Sequence, residues 1–331
     1  MFPVRQKKGL SALEALCLIV PCYNEEQVLP VTAPLFREKL SELIADGRIA
    51  EESRILFVDD GSTDSTWRII CELAEGDSIF EGIALSRNRG HQNALLAGLT
   101  DAADHFDITV SIDCDGQDDI DAIDRMLEER KAGAEVVYGV RSERNSDSRL
   151  KRCTAQAYYR FLSRMGADVV YNHADYRLLS SCALRELLRY EEVNLYLRGM
   201  VPLVGFQSST VEYVRQERIA GKTHYSLRKM FDLALNGLTG LTVRPMRLIL
   251  IVGLVLLMGG SAGTIATIVL KAFGLLHDSV WILLAVLVFL SGLHLSATGL
   301  LGEYAGKTFL ETKRRPRFVI SKRTGQVGKE R

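Results

Sequence analysis

The sequence predicts an α/β domain with a mostly parallel sheet, followed by an amphipathic interfacial helix region and a two-helix transmembrane hairpin. Three observations carry this expectation. Short apolar runs alternate with helical patterns from residue 13 to about residue 225, the signature of strands joined by crossover helices. Acidic turns follow three of those runs, at the edge where an open parallel sheet presents its ligands. Near the end, Leu248 to Leu270 and Val280 to Leu301 are apolar stretches of more than 20 residues each. As helices they are long enough for a bilayer core of roughly 30 Å.

In chain order, the expected strands are Leu16–Val20, Ile55–Val58, Gly82–Leu85, Ile108–Ile112 and Glu135–Tyr138. Arg5, Lys7 and Lys8 precede the first, but its apolar run is short and soon broken by Pro21 and Asn24. It therefore reads as a buried strand, not a signal peptide. These strands and their helices make a domain over 1–225. Over 226–247, Leu227, Met230, Phe231, Ala234, Leu235, Leu238 and Leu241 recur at steps of three and four, with Arg228, Lys229 and Asp232 between them. That pattern fits a helix lying on a membrane, or an ordinary amphipathic helix packed on the domain.

Only residues 271–279 separate the two apolar stretches, so 248–301 reads as a hairpin whose ends return to one side. Arg244 and Arg247 precede it, and Lys307, Lys313, Arg314, Arg315 and Arg317 follow it, whereas the connecting loop holds Lys271 alone. Positive flanks stay inside, which puts the domain and both termini in the cytoplasm and the hairpin in the inner membrane. Two buried helices of a soluble protein are the alternative, but neither stretch has an acidic residue or a polar face. Gly253, Gly259, Gly260 and Gly263 favour close helix packing and a homo-oligomer. The basic segment 302–331 forms a tail, disordered or lipid-facing after Phe318.

Lys plus Arg and Asp plus Glu each number 41, so no global field draws nucleic acid and none is expected as a partner. The 6 cysteines are scattered without a C-x-x-C pair, which fits a reducing compartment and neither a metal knuckle nor a disulfide framework.

The chemistry sits just after the strands. Pro21-Cys-Tyr-Asn-Glu-Glu26 follows the first, Asp59-Asp-Gly-Ser-Thr-Asp64 the second and Asp113-Cys-Asp-Gly-Gln-Asp118 the fourth. Helix capping is one reading, with Ser62, Thr63, Asp64 or Asp118 as caps, but capping alone asks for no paired aspartates at several strand ends. If the strand pitch continues, Asp113 and Asp115 share a face and Cys114 points away. Two carboxylates with the Gln117 carbonyl suit a hard divalent ion, Mg²⁺ or Mn²⁺, that also takes diphosphate oxygens. No G-x-G-x-x-G follows the first strand and no P-loop occurs, which leaves a metal-held nucleotide diphosphate.

These motifs, together with Leu85-Ser-Arg-Asn-Arg-Gly90, Ala174-Asp-Tyr-Arg-Leu178 and Gly302-Glu-Tyr-Ala-Gly306, run in order along nearly the whole chain. The chain resembles glycosyltransferase family 2, in its polyprenyl-phosphate glycosyltransferase branch, and the resemblance implies a GT-A-type domain. It also implies a nucleotide-sugar site at Pro21, Tyr23, Glu25, Asp60, Asp113, Cys114, Arg218 and His224, and a metal site at Asp113, Asp115 and Gln117. Arg141 and Arg152 match the family's residues for the lipid phosphate, where guanidinium forks suit phosphate oxygens. A solvated or membrane-facing basic patch is the other reading of that stretch. His224 stands where the family usually has Lys, with Lys222 nearby, and Asp119-Ile120 replaces a frequent Pro-Pro.

The implied reaction is an inverting, in-line transfer of a sugar from a nucleotide-sugar to polyprenyl phosphate at the membrane. UDP-sugars such as UDP-glucose are favoured over GDP-mannose because the tail resembles bactoprenol glucosyltransferases. Asp115, Asp175 and Arg218 are the implied catalytic residues, Asp175 as a base or as an ion-pair partner of Arg177. A processive polysaccharide synthase fits less well, since neither Trp67 nor Trp281 follows a Gln-x-x-Arg. A non-catalytic binder of nucleotide-sugar or lipid is the competing reading from another class.

Overall fold

The computed structural model describes residues 13–142, 173–191, 197–214, 269 and 280–325. Strands β1 (Leu16–Cys22), β2 (Arg54–Asp59), β3 (Phe80–Leu85), β4 (Ile108–Ser111), β5 (Val136–Arg141), β6 (His173–Ser180), β7 (Ser208–Tyr213) and β8 (Ile320–Arg323) form one sheet in the order β7-β5-β6-β4-β1-β2-β3-β8. Its helices are α1 (Leu29–Ala45), α2 (Thr66–Gly76), α3 (His91–Ala102), α4 (Ala122–Lys131), α5 (Ser181–Leu188) and α6 (Leu197–Leu203). A long α7 (Val280–Thr312) follows.

The centre of the sheet is parallel, as expected: β1 pairs with β2 and with β4, and β2 with β3. β6 is antiparallel to both β4 and β5. These two reversals leave β5 running with β4, and β7 is parallel to β5. The carboxyl ends of β1, β2, β4, β5 and β7 consequently open on one edge.

β1 shows why this sequence makes a central strand. All seven of its residues are buried, and pleat alternation sends Leu16, Leu18 and Val20 to one face and Cys17 and Ile19 to the other. The first face meets Leu29, Ala33, Phe36, Leu40 and Leu43, which lie three and four residues apart along α1. The second meets Leu95 and Leu99 of α3. A Cβ on Gly98 would stand 2.5 Å from Ile19 Cγ2 and 2.8 Å from Val58 Cγ2. Only glycine allows α3 to press this close to the sheet.

Two expectations change. Strands β6, β7 and β8 were not anticipated, and the sheet is mixed at its flanks. The segment after Phe318 is not a loose tail up to residue 325: β8 pairs antiparallel with β3, and Phe318 and Ile320 pack on the core. As for the hairpin, 33 residues from Val280 form one helix covering the second apolar stretch, whereas residues 226–268 lie outside the described ones. Among the described residues, no helix is long and apolar enough to cross a membrane. Most side chains of the apolar half of α7 are not among those residues.

Candidate active site

The loops after β1 and β2 are sewn together. Asn24 donates its amide N–H to Ser62 Oγ at 2.9 Å, and its side-chain oxygen accepts from the Thr63 N–H at 2.9 Å. Glu26 Oε2 accepts from the Ser65 N–H at 3.0 Å, and the Glu25 N–H reaches Thr66 Oγ1 at 2.8 Å. Pro21, buried at the end of β1, and Tyr23, 41% exposed, flank this seam.

Asp60 anchors the next loop. Its two oxygens accept from the N–H groups of Arg89 (2.7 Å) and Gly90 (2.8 Å), ahead of α3. Burial pushes its carboxyl up, against the pull of those two amides. Gly61 has φ +67°, and a Cβ there would lie 2.5 Å from the Arg87 carbonyl carbon. The close approach of the two loops therefore depends on that glycine.

Past β4 the Ile112 N–H still reaches the Ile19 carbonyl at 3.1 Å, but the chain turns at Cys114–Asp115, so the strand pitch does not carry through from Asp113 to Asp115. Asp113 is half-buried, while Asp115 is 6% exposed and accepts the Gln117 N–H on Oδ1 at 3.1 Å. The Cys114 side chain lies in the core, 3.9 Å from Thr32 Oγ1, so the thiol expected near the nucleotide-sugar faces the protein interior instead. Asp118 caps no helix: its Oδ1 accepts the Tyr213 hydroxyl at 2.5 Å and lies 3.5 Å from Arg141 Nη2. Burial and then the Asp113 charge push its carboxyl up to about 6, despite Arg141.

Asp175, on β6, is the hub of a second cluster. Its Oδ1 lies 2.6 Å from Arg177 Nη2 and 3.2 Å from Arg198 Nε; its Oδ2 lies 3.1 Å from Arg198 Nη2 and 3.4 Å from His91 Nε2. Burial alone would raise its carboxyl, but Arg198, His91 and Arg177 outweigh it and hold the group well below the usual range. His91 Nε2 is also 3.7 Å from Asp113 Oδ1. Against the effect of burial, the Asp175 hydrogen bond and the Asp113 charge lift His91 to about 9. The cluster thus touches the acidic loop through one imidazole.

Asp113 and Asp115 offer the hard carboxylate oxygens that Mg²⁺ or Mn²⁺ prefers. Among the described residues, no group of three His, Cys, Asp or Glu side chains gathers for a metal, so an ion here needs oxygens from a substrate diphosphate or water. The donor set fits a metal held jointly with a nucleotide diphosphate. Arg141, the last residue of β5, sits on the same sheet edge, whereas Arg152, Arg218 and His224 lie outside the described residues.

The sequence reading missed His91, Arg198 and Tyr213, and took Asp118 only for a possible cap. His91 directly follows the quoted Leu85–Gly90 motif, which was its one available signal. Arg198 and Tyr213 carry none, because their partners are brought near only by the fold.

The family described as Glycosyl transferase family 2 matches residues 17–188. An uncharacterized glycosyltransferase, YkoT of Bacillus subtilis (strain 168), is 44% identical over 92% of this chain and 90% of its own length. The bactoprenol glucosyl transferase of Shigella phage SfX is 37% identical over 93% of this chain and 99% of its own. A crystal structure of glucosyl-3-phosphoglycerate synthase from Mycobacterium tuberculosis, in complex with Mn²⁺, UDP-glucose and phosphoglyceric acid, aligns with 68% of this chain and 78% of that one, at 17% identity and a TM-score of 0.45.

Proposed function

We propose a reaction from a plain premise: the chain belongs to glycosyl transferase family 2. It is a glycosyltransferase that moves a sugar from a nucleotide-sugar, UDP-glucose being the first candidate, onto polyprenyl phosphate with inversion. The likeness to bactoprenol glucosyl transferases over almost the full length supports this acceptor and this sugar. The observation that carries the reading is one sheet edge that gathers the Asp60 cradle, the Asp113–Asp115 carboxylates and Arg141.

In this reading Pro21, Tyr23, Glu25 and Asp60 hold base and ribose, and Arg218 and His224 face the diphosphate. Asp113 and Asp115, with Gln117, hold Mg²⁺ or Mn²⁺, which when bound neutralises charge on the leaving diphosphate. Arg141 and Arg152 receive the acceptor phosphate. That phosphate is largely ionised near pH 7, so one of its oxygens attacks the anomeric carbon directly. A new C–O bond forms as the bond to the nucleoside diphosphate breaks, and no strong base is required. Asp175 suits such a reaction as an anchor for Arg177, Arg198 and His91, since a carboxylate held so far below its usual range is a poor proton acceptor.

The acceptor cannot leave the bilayer, so the enzyme must work at its surface. The apolar stretches 248–270 and 280–301, the second of them within the helix α7, are proposed as the hairpin that keeps it there.

The test uses the full chain in detergent with a polyprenyl phosphate, a divalent metal and a panel of radiolabelled nucleotide-sugars. Label should enter the organic phase from one donor, and EDTA should abolish it. Asp115→Ala should reduce it by more than about 100-fold, the upper end of losses seen when metal sites are disturbed one shell out. A folded protein that binds a donor and transfers nothing from any of them would overturn the enzyme reading in favour of a binding protein.

A further inference from the structure

We infer that Asp118 and Tyr213 form a positioning pair that fixes the guanidinium of Arg141 at the acceptor side of the site. The inference rests on the reading above that Arg141 meets the acceptor phosphate. Arg141 and Tyr213 are register partners at the ends of β5 and β7. The Tyr213 hydroxyl donates to Asp118 Oδ1 at 2.5 Å and accepts from Arg141 Nε at 3.2 Å. A hydroxyl has one proton, and here it is committed to the carboxylate, so the arginine must be the donor in the second bond. Asp118 Oδ1 stands a further 3.5 Å from Arg141 Nη2. Nε and Nη2 form one edge of the guanidinium fork, so the two anchors set the plane of the whole group.

The pair is itself held rigidly. The Tyr213 ring meets Tyr176 edge-on at 5.3 Å, and the Tyr176 hydroxyl donates to the Asp119 carbonyl at 2.9 Å. Asp118 has a side chain only 1% exposed, and its Oδ2 is buried with no hydrogen-bond partner among the described residues. A buried half-satisfied carboxylate is an expensive feature to keep for stability alone. Its place at the end of the Asp113–Asp118 loop joins the donor side of the site to the arginine on the acceptor side.

Tyr213→Phe removes only the hydroxyl and keeps the ring. With the donor that labels lipid in the panel above, it should raise the KM for polyprenyl phosphate about tenfold, the usual effect of one hydrogen bond to a charged group. The donor KM should stay within about twofold, and in Arg141→Ala the added Tyr213→Phe should change the acceptor KM no further, as coupled residues require. If Tyr213→Phe lowers Tm, Asp118→Asn is read by the same ratio of acceptor to donor KM. An unchanged acceptor KM in Tyr213→Phe, while Arg141→Ala raises it, overturns the positioning role and leaves the site reading intact. No acceptor effect in Arg141→Ala overturns that reading of Arg141 itself. Equal rises in both KM values assign the pair to the metal loop instead and also overturn the inference.

Discussion

Asp175 receives Arg177 on one oxygen, Arg198 on both and His91 on the other, with its side chain 9% exposed. Arg177 is 2% exposed and depends on this carboxylate for its charge partner. Asp175→Asn should therefore lower the unfolding free energy by about 3 kcal/mol, the effect of leaving a buried charge unpaired, and calorimetry or denaturant melts would read it. A proton-accepting Asp175 gives the opposite pattern, with turnover lost at unchanged Tm. The pH dependence has a definite sign. The folded carboxyl lies below its unfolded value, so its stabilisation is complete above an unfolded pKa of about 4 and fades as the pH falls through the folded value. His91, lifted to about 9 in part by this carboxylate, adds stability that is full below its unfolded value of about 6.5 and is lost as the pH rises through 9. The difference in stability between wild type and Asp175→Asn should therefore grow from alkaline pH through neutrality, level off in mild acid and shrink below that. Asp175 itself was legible through its Ala-Asp-Tyr-Arg motif. Its choice of role was not, because Arg198 and His91 reach it from separate helices that no local pattern ties to β6.

The late strand β8 joins residues 320–323 to the β3 edge of the sheet. Gly82 donates its N–H to Thr324 Oγ1 at 2.9 Å, Ser86 donates to the Val319 carbonyl at 2.9 Å, and Arg323 pairs with Asp101 at 2.5 Å. Ser86 opens the loop whose Arg89 and Gly90 amides hold Asp60. Ending the chain at Arg317 should expose the β3 edge and loosen that loop. Hydrogen exchange should rise in peptides covering Phe80–Gly90 and not in those covering β1 or β4, with nucleotide affinity falling in parallel. Unchanged exchange in Phe80–Gly90 would mean that β8 is passive cover. The parallel centre was readable because β1 is buried and apolar throughout, Ile55–Val58 of β2 is an unbroken apolar run, and Ile108, Val110 and Ile112 alternate along and just past β4. β8 was not, since Ile-Ser-Lys-Arg is a short, charged edge strand whose only apolar side chain is Ile320. β6 and β7 escaped for a related reason: antiparallel insertion beside β4 is decided by what the sheet has room for, and Ser208–Tyr213 has only two fully buried side chains to mark it.

One sheet contains strands from both sides of the 248–301 segment: β1 to β7 precede it and β8 follows it. On the hairpin reading this is a strong constraint, because a chain that leaves the sheet, enters the bilayer and returns to the same sheet must cross an even number of times. Two crossings satisfy it, and so does the placement of Lys307, Lys313, Arg314, Arg315 and Arg317 beside the catalytic domain. With equal numbers of acidic and basic residues in the whole chain, orientation rests on these local flanks and not on net charge. The constraint is open to a labelling experiment in spheroplasts with a membrane-impermeant maleimide. Asp278→Cys, in the loop between the two stretches, should label in intact spheroplasts. Lys313→Cys should label only after permeabilisation, as should the native, exposed Cys182. If Asp278→Cys also needs permeabilisation, the segment does not cross and the domain is held at the surface by other means. If Asp278→Cys and Lys313→Cys both label in intact spheroplasts, an odd number of crossings separates the domain from α7's end. In the membrane the pairing of β8 with β3 would then have to break, which the exchange of the Gly82 and Ser86 amides would reveal.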